Sequence, residues 1–419
     1  MKTRVIIGAA TSLFLVAALT GCSTNGGQSD ADSNTIRLFG NTNNTEAINQ
    51  IIDAFMEDHP DAKIVTEFYG VSDGQAALNT QLSAGTGADI IQIYTGAGSS
   101  NSALVLAENG YLADLSDREF ASDFAGDSEI VYDDKLVAVP QTVQGIGYLY
   151  SEQVMEAAGL TPPKTWSEVK PFCEAARAAG KTAYAAAWQT GWPALQLPYA
   201  LTATSVYGTD PDFTEQQYDG KKSFVDSGWL DALEKMQDMQ SWSCFQDAPN
   251  GTTYDQVIAM LASGEALGSV LLPTALPALK PAAPEGTVWN LAAVPATDDP
   301  EETMLPSSNL VAFGQNAKSA NNKLAAEFMD FLATPEAIAI QANNSGGIPT
   351  LPSADWAPAQ PAIQTVVDYR DAGQTTQWPD HSWRNPKVLQ DLISGVQGIF
   401  AGTATPDSTL EQMNATLLR

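Results

Sequence analysis

Short apolar runs alternate with stripes of apolar residues spaced three to four apart along most of the chain. Thr35 to Gly40, "TIRLFG", is predicted as a strand, and "NTNNT" at 41–45 has the composition of a loop and cap. In "EAINQIIDAFMEDH", apolar positions 48, 51, 52, 55 and 56 form a helical stripe that stops before Pro60. A strand over Ala62 to Tyr69, a helix over Ala76 to Ala84 closed by Gly85, and a buried strand in "ADIIQIYT" follow. Strands alternating with helices of this length predict an open, mostly parallel α/β sheet. Ligands of such sheets sit at the carboxyl ends of the strands, so "NTNNT" and "YTGAG" at 94–98 fall on the binding edge. Further on, "AVPQTVQGIGYLY" at 138–150 reads as a strand that passes through Gln141, Gln144, Gly145 and Gly147 into a second apolar stretch. "LAAEFMDFLA" places Leu324, Phe328, Phe331 and Leu332 on one helix face, a core pattern.

The first residues follow a different rule. Lys2 and Arg4 precede an apolar run from Val5 to Leu19, broken by Gly8, Thr11 and Ser12 and ending in Thr20-Gly21-Cys22. That order is an export signal, too short to be a good membrane span. Leu19-Thr20-Gly21-Cys22 resembles a bacterial lipoprotein box, which implies that residues 1–21 are removed and that Cys22 carries the lipid. Residues 22–34, with "STNGGQSDADSN", are then an anchor and a flexible tether of roughly 20 Å.

Charge and chemistry narrow the classes. With 49 acidic against 20 basic residues the formal net charge is −29, which argues against nucleic acid and anionic lipid as partners. An acidic secreted surface accounts for that charge without a binding site. Besides Cys22 there are only Cys173 and Cys244, and the histidines are His59 and His381, with no C-x-x-C. A zinc or Cys/His catalytic site is therefore not expected, and neither metal nor cofactor is. In an oxidising exterior the two cysteines either pair, contributing up to roughly 4 kcal/mol, or remain two buried thiols. No G-x-S-x-G, H-E-x-x-H or complete G-x-x-x-x-G-K-[ST] phosphate loop occurs, since Gly180-Lys181-Thr182 has Ala175 where the first glycine belongs. Asp89, Glu108 and Asp114 lie near the binding edge, where a glycosidase would need two carboxylates, but acids at strand starts and helix ends commonly serve as solvated or capping groups. The chain is not expected to be an enzyme.

The order of longer motifs adds a family. A strand, a helix ending "AFMEDHP", a Gly-rich break before "ADII", then "LAENGYLADLSD" and "YDDKLVAVPQTVQGIGYLYSEQVMEAAGLTPPKTWSEV" resemble the extracellular solute-binding proteins of carbohydrate ABC importers. "NLAAVP", "NNKLAAEFMDFLATPEAIAIQ" and "GGIPT" continue the resemblance over nearly the whole chain after the signal. It implies an α/β, two-lobed fold of the periplasmic-binding-protein type (type II), with lobes joined by crossing hinge strands. Lobe one would comprise 35–143 plus 309–347, and lobe two 144–308 plus 348–419. Gln141 to Gly147 would be the first crossing, both hinge and cleft wall, with glycines that let the backbone turn without a Cβ penalty. The chain would return near Ser307-Ser308-Asn309 and leave again near Gly346-Gly347-Ile348.

The ligand class is argued from aromatics and amides. A pyranose has an apolar C–H face and a fringe of hydroxyls, so its site needs flat rings beside planar donors and acceptors. Trp188 and Trp192 in "AAWQTGWPALQLP", and Trp378 and Trp383 in "TTQWPDHSWRNP", beside Gln189, His381 and Arg384, supply that mixture. The resemblance places stacking residues near Trp188, Trp192 and Trp383 and another near Ile93 or Tyr94, while Trp242 is assigned to structure. Asn41, Asn43, Asn44, Gln141, Gln144 and Asn309 offer amides, which suit a neutral ligand. "GEALGSVLLPTALPAL" departs from the family pattern, with Leu271, Leu272 and Pro273 where a stacking platform is common. The expectation is a lipid-anchored, monomeric receptor outside the cell that captures a neutral mono- or oligosaccharide for an ABC importer permease. The alternatives are an iron chelate, polyamine or peptide in the same fold, or an extracellular glycosidase.

Overall fold

The computed structural model describes residues 34–319 and 322–419, so the expected signal, Cys22 and nearly all of the tether lie outside it. The strands that build its two main sheets are, in chain order, β1 (Thr35–Asn41), β2 (Lys63–Tyr69), β3 (Ile90–Tyr94), β4 (Val139–Gly145), β5 (Gly147–Ser151), β6 (Thr182–Ala185), β7 (Ala266–Leu271), β8 (Trp289–Ala292), β9 (Leu305–Gln315), β10 (Ile348–Pro349) and β11 (Thr375–Thr376). A seven-stranded sheet has the order β10-β4-β9-β3-β1-β2, with β11 beside the start of β9. A four-stranded sheet has the order β8-β5-β7-β6. Each sheet is the floor of one lobe.

The sheets are mixed rather than mostly parallel. β1 pairs in parallel with β2 and β3, as the alternating pattern predicts, but β9 runs antiparallel to both β3 and β4. The reversal follows from the path of the chain, because β9 enters lobe one from lobe two instead of through a crossover helix. Lobe one buries Ile36 and Leu38 of β1 and Ile91 and Ile93 of β3 against Ile48, Ile51 and Phe55 of helix Thr45–Asp58 and Phe328 and Leu332 of helix Lys323–Leu332. Phe331 is only partly buried and packs beside Phe55. The helix expected from Ala76 starts at Val71 and ends at Ala84, with Gly85 as its left-handed cap. Its first turn, "VSDGQ", has one apolar residue, too few for a stripe.

Lobe two carries two apolar layers, one on each face of its sheet. Tyr148, Tyr184, Trp229 and Leu392 lie in one layer, and Leu149, Val257, Leu271 and Leu279 in the other. Cys173 on helix Trp166–Ala178 is bonded to Cys244 just after helix Gly228–Ser241, so the bridge lies wholly inside lobe two.

The first crossing is short: β4 ends at Gly145, Ile146 intervenes, and β5 starts at Gly147. Neither glycine has a left-handed backbone, so conformational freedom is not their role, contrary to expectation. Space is. A Cβ on Gly145 would fall 2.6 Å from Leu305, and one on Gly147 would fall 2.8 Å from the Ala292 carbonyl. The seven-stranded sheet also takes in Leu305–Ser308, Ile348–Pro349 and Thr375–Thr376, segments whose sequence position suggested lobe two. Leu305 and Ile348 nevertheless pack with Leu149 and Leu271, so these strands are shared by the two lobes.

Candidate ligand-binding site

Because β1 and β3 are parallel, their carboxyl ends open on the same edge of the lobe-one sheet. An open recess lies there. The amides of Asn41, Asn44, Gln75, Gln92 and Asn101 line it, together with the rings of Phe39, Tyr69 and Tyr94. Its remaining lining residues are Gly40, Gly74, Ile93 and Val311, so no charged side chain borders it. Phe39 and Tyr69 stack on each other with centroids 5.0 Å apart and form an apolar wall. The Gln92 side-chain oxygen accepts the Asn41 backbone N–H at 2.7 Å, and the Asn41 side-chain oxygen accepts the Asn43 N–H at 2.9 Å. Backbone donors thus fix which way these amides turn, and the Asn41 amino group is left free to donate. The Asn44 oxygen accepts from Gln341 at 2.7 Å.

Of the three neighbouring asparagines, Asn41 and Asn44 reach the recess. Asn43 does not; it is exposed on the short turn Thr42–Asn44. Gln92, Gln75, Asn101, Tyr69 and Phe39 were missed. The one available signal was a lone polar residue inside the apolar strand "ADIIQIYT".

At the crossing, strand alternation sends Gln141 and Gln144 to opposite faces. Gln141 is fully buried and donates to the Leu332 carbonyl at 3.0 Å, tying down a helix end; it does not face the cleft. Gln144 is buried too, yet neither of its amide atoms has a protein partner. A Cβ on Gly347 would lie 2.5 Å from its nitrogen, so the glycine makes room for that amide.

The aromatic side divides. A second recess of about 290 Å³ opens where β6 and β7 end, with Ala187, Trp188, Pro193 and Ser269 in its wall. Trp188 is 2% exposed and packs edge-on to Phe400, its carbonyl accepting from Gln397 at 2.7 Å. Trp192 is half-buried and leans on Tyr254 at 5.2 Å. Trp378 is buried edge-on to His381, and its indole N–H has no partner. Two expectations are corrected. Trp383 is 0% exposed inside an aromatic cluster of Tyr199, Phe224 and Trp229, so it has no face to offer a sugar. Arg384 stands on the outer surface, over the Tyr218 ring at 4.3 Å and beside Glu215.

Asn309 is likewise committed elsewhere. Its amide donates to Asp127 at 2.6 Å, its backbone N–H donates to Glu129 at 2.9 Å, and its carbonyl accepts from Thr95 at 2.7 Å. These contacts belong to a hinge network in which Glu129 also accepts from Gln377 and meets His381 at 3.0 Å. Burial pulls the His381 imidazole down, but Glu129, Asp380 and Asp127 outweigh it and hold the group above the usual histidine value. Burial pushes Glu129 up, and His381 with its hydrogen-bond donors reverses that, leaving it below the usual value. Asp380 and Asp127 are both raised, by burial first.

Amides lie at the strand ends of one lobe, an unpartnered glutamine at the crossing, and aromatic rings beside the recess of the other lobe. A model of a family described as bacterial extracellular solute-binding protein matches residues 41–339. The chain belongs to that family. The binding protein is 24% identical over 320 residues to the multiple sugar-binding protein of Streptococcus mutans serotype c, covering 74% of each chain. It is 23% identical to the sn-glycerol-3-phosphate-binding periplasmic protein UgpB of Pectobacterium atrosepticum, covering 89% of this chain and 88% of the other. In structure it matches a chitin oligosaccharide binding protein with a TM-score of 0.78 at 18% identity, over 91% of this chain and 98% of that one. The family is one of extracellular binding proteins, and no described helix is long and apolar enough to cross a membrane.

Proposed function

We propose that this binding protein captures a neutral mono- or oligosaccharide between its lobes and delivers it to the permease of an ABC importer. The observation that carries the reading is the lobe-one recess, with five amides, three rings and no charged side chain. Planar amides match hydroxyl pairs and rings match the C–H face of a pyranose, whereas a phosphate or a polyamine would call for fixed charge. The sugar-binding relatives support the same class. Lobe one is assigned to 35–143 plus 309–347 and lobe two to 144–308 plus 348–419, with Asn41, Asn44, Tyr94, Gln144, Trp188, Trp192 and Trp378 on the ligand path. Binding shifts a population: a sugar that touches both lobes favours the closed form, which the permease reads. The protein acts as a monomer and leaves its ligand chemically unchanged.

The test is a thermal-shift screen against raffinose, stachyose, malto-, xylo- and chitooligosaccharides, with sn-glycerol 3-phosphate as the charged comparison. A ligand at 100 times its dissociation constant should stabilise the fold by about 2.7 kcal/mol. Stabilisation by glycerol phosphate alone would reject the sugar reading. Gln144→Ala should weaken binding of the best sugar by about 1 to 3 kcal/mol, read by calorimetry, with little change in melting temperature because no protein hydrogen bond is lost.

Lipid at Cys22 holds the protein on the outer face of the cytoplasmic membrane. Cys22→Ala should release it into the medium, and membrane retention of that variant after a salt wash would count against the anchor.

A further inference from the structure

The sugar reading leaves unused a knot of buried charge at the seam between the lobes. His381 lies on the Pro379–Ser382 turn of lobe two with its side chain 5% exposed, and Glu129, beside the lobe-one core residue Ile130, is 8% exposed. Their Nδ1 and Oε1 atoms are 3.0 Å apart. Asp127 faces them from the same lobe-one segment, Asp380 from the histidine's own turn, Tyr199 from helix Gln196–Thr202, and Arg370 from helix Pro361–Asp371 is the cation that Glu129 influences. The lobe-one loop Thr95-Gly96-Ala97-Gly98, which has no titratable side chain, is tied to both partners. Gly96 N–H donates to the Glu129 carbonyl at 2.8 Å, and Ala97 N–H donates to the His381 carbonyl at 3.0 Å. A Cβ on Gly96 would fall 2.6 Å from His381, so the loop lies flush on the turn.

We propose that Glu129 and His381 form a proton-operated latch across the lobes, holding the cleft in the described arrangement while the imidazole is charged and releasing it when the proton leaves. Charged, the imidazolium sits among the carboxyl groups of Glu129, Asp127 and Asp380 and compensates them. Neutral, it leaves those groups facing one another across the seam, where low exposure strengthens their repulsion. The same carboxyl groups hold the proton on His381 more tightly than usual, which puts release above the ordinary histidine value of about 6.5. Acidity favours the latched form; alkalinity favours the loose one. The latch governs the cleft assigned above to sugar and so rests on that reading, and its test uses no sugar, which keeps the two failures apart.

Spin labels at Asp53→Cys on lobe one and Glu411→Cys on lobe two, both exposed positions, report the interlobe distance in the mature chain carrying Cys22→Ala. Between pH 5.5 and 9 the distribution should change from one narrow population to a broader, longer one, with a midpoint above about 6.5. His381→Gln, neutral at every pH, should abolish that transition. Glu129→Gln keeps the imidazole and removes its main partner, so its midpoint should move to lower pH, a shift that loss of packing alone does not produce. A wild-type distribution unchanged across the range, or a transition of the same midpoint and size in His381→Gln or Glu129→Gln, would overturn the latch.

Discussion

Trp383→Ala should cost the fold about 3 to 5 kcal/mol and leave the sugar affinity of the folded protein unchanged. The indole is fully buried against Tyr199, Phe224 and Trp229, with ring centroids 5.7 to 6.1 Å away. Truncation therefore removes a large apolar group and leaves a cavity that three rigid rings cannot close, the case in which large-to-small changes are most damaging. In a lobe of roughly 240 residues such a loss lowers the melting temperature by about 10 °C. Trp192 makes the contrast, since it is half-buried and packs on Tyr254 alone among the aromatic rings. Trp192→Ala should spare the melting temperature and weaken binding. Calorimetric titration and thermal melts on both variants decide the matter, and a Trp383 variant of normal stability with weak binding would return that ring to the cleft.

Opening the Cys173–Cys244 bridge should have a comparable effect by another route. The cysteines are 71 residues apart in sequence, and closing a loop of that length limits the unfolded chain by about 4 kcal/mol. Because both ends lie in lobe two, reduction should lower the unfolding transition of that lobe and spare lobe one, splitting a calorimetric trace into two steps. The oxidised protein, denatured without reductant, should show no free thiol from these two residues. Two titratable thiols in that sample, or a trace indifferent to reductant, would contradict the bridge.

Local patterns carried much of the architecture. The stripe at 48, 51, 52 and 55 is the buried face of its helix, and "TIRLFG" and "ADIIQIYT" are the strands whose ends open on the recess, because one buried face per element leaves a periodic trace. Strand direction left no such trace, so the antiparallel entry of β9 was invisible. Of the recess lining, Asn41, Asn44 and Tyr94 could be read from their position at strand ends. The tryptophans could not be sorted, since a ring that stacks on ligand and one that fills a core have the same local sequence. Trp378 and Trp383 lie five residues apart, and the outcome depends on helices contributed by distant segments. The Glu129–His381 pair joins residues 252 positions apart, a contact that only the folded chain creates.

The place of β9 in its sheet bears on how the protein is made. β3 and β4 are not neighbours; β9, beginning at residue 305, lies between them and bonds to both. Lobe one is therefore missing an interior strand until three quarters of the chain has left the ribosome, although β1 to β4 are complete by residue 145. Pairings so distant in sequence form slowly. This topology keeps the early segments from completing their sheet during synthesis. Circular permutants that bring β9 next to β4 should refold faster than the natural order in stopped-flow measurements.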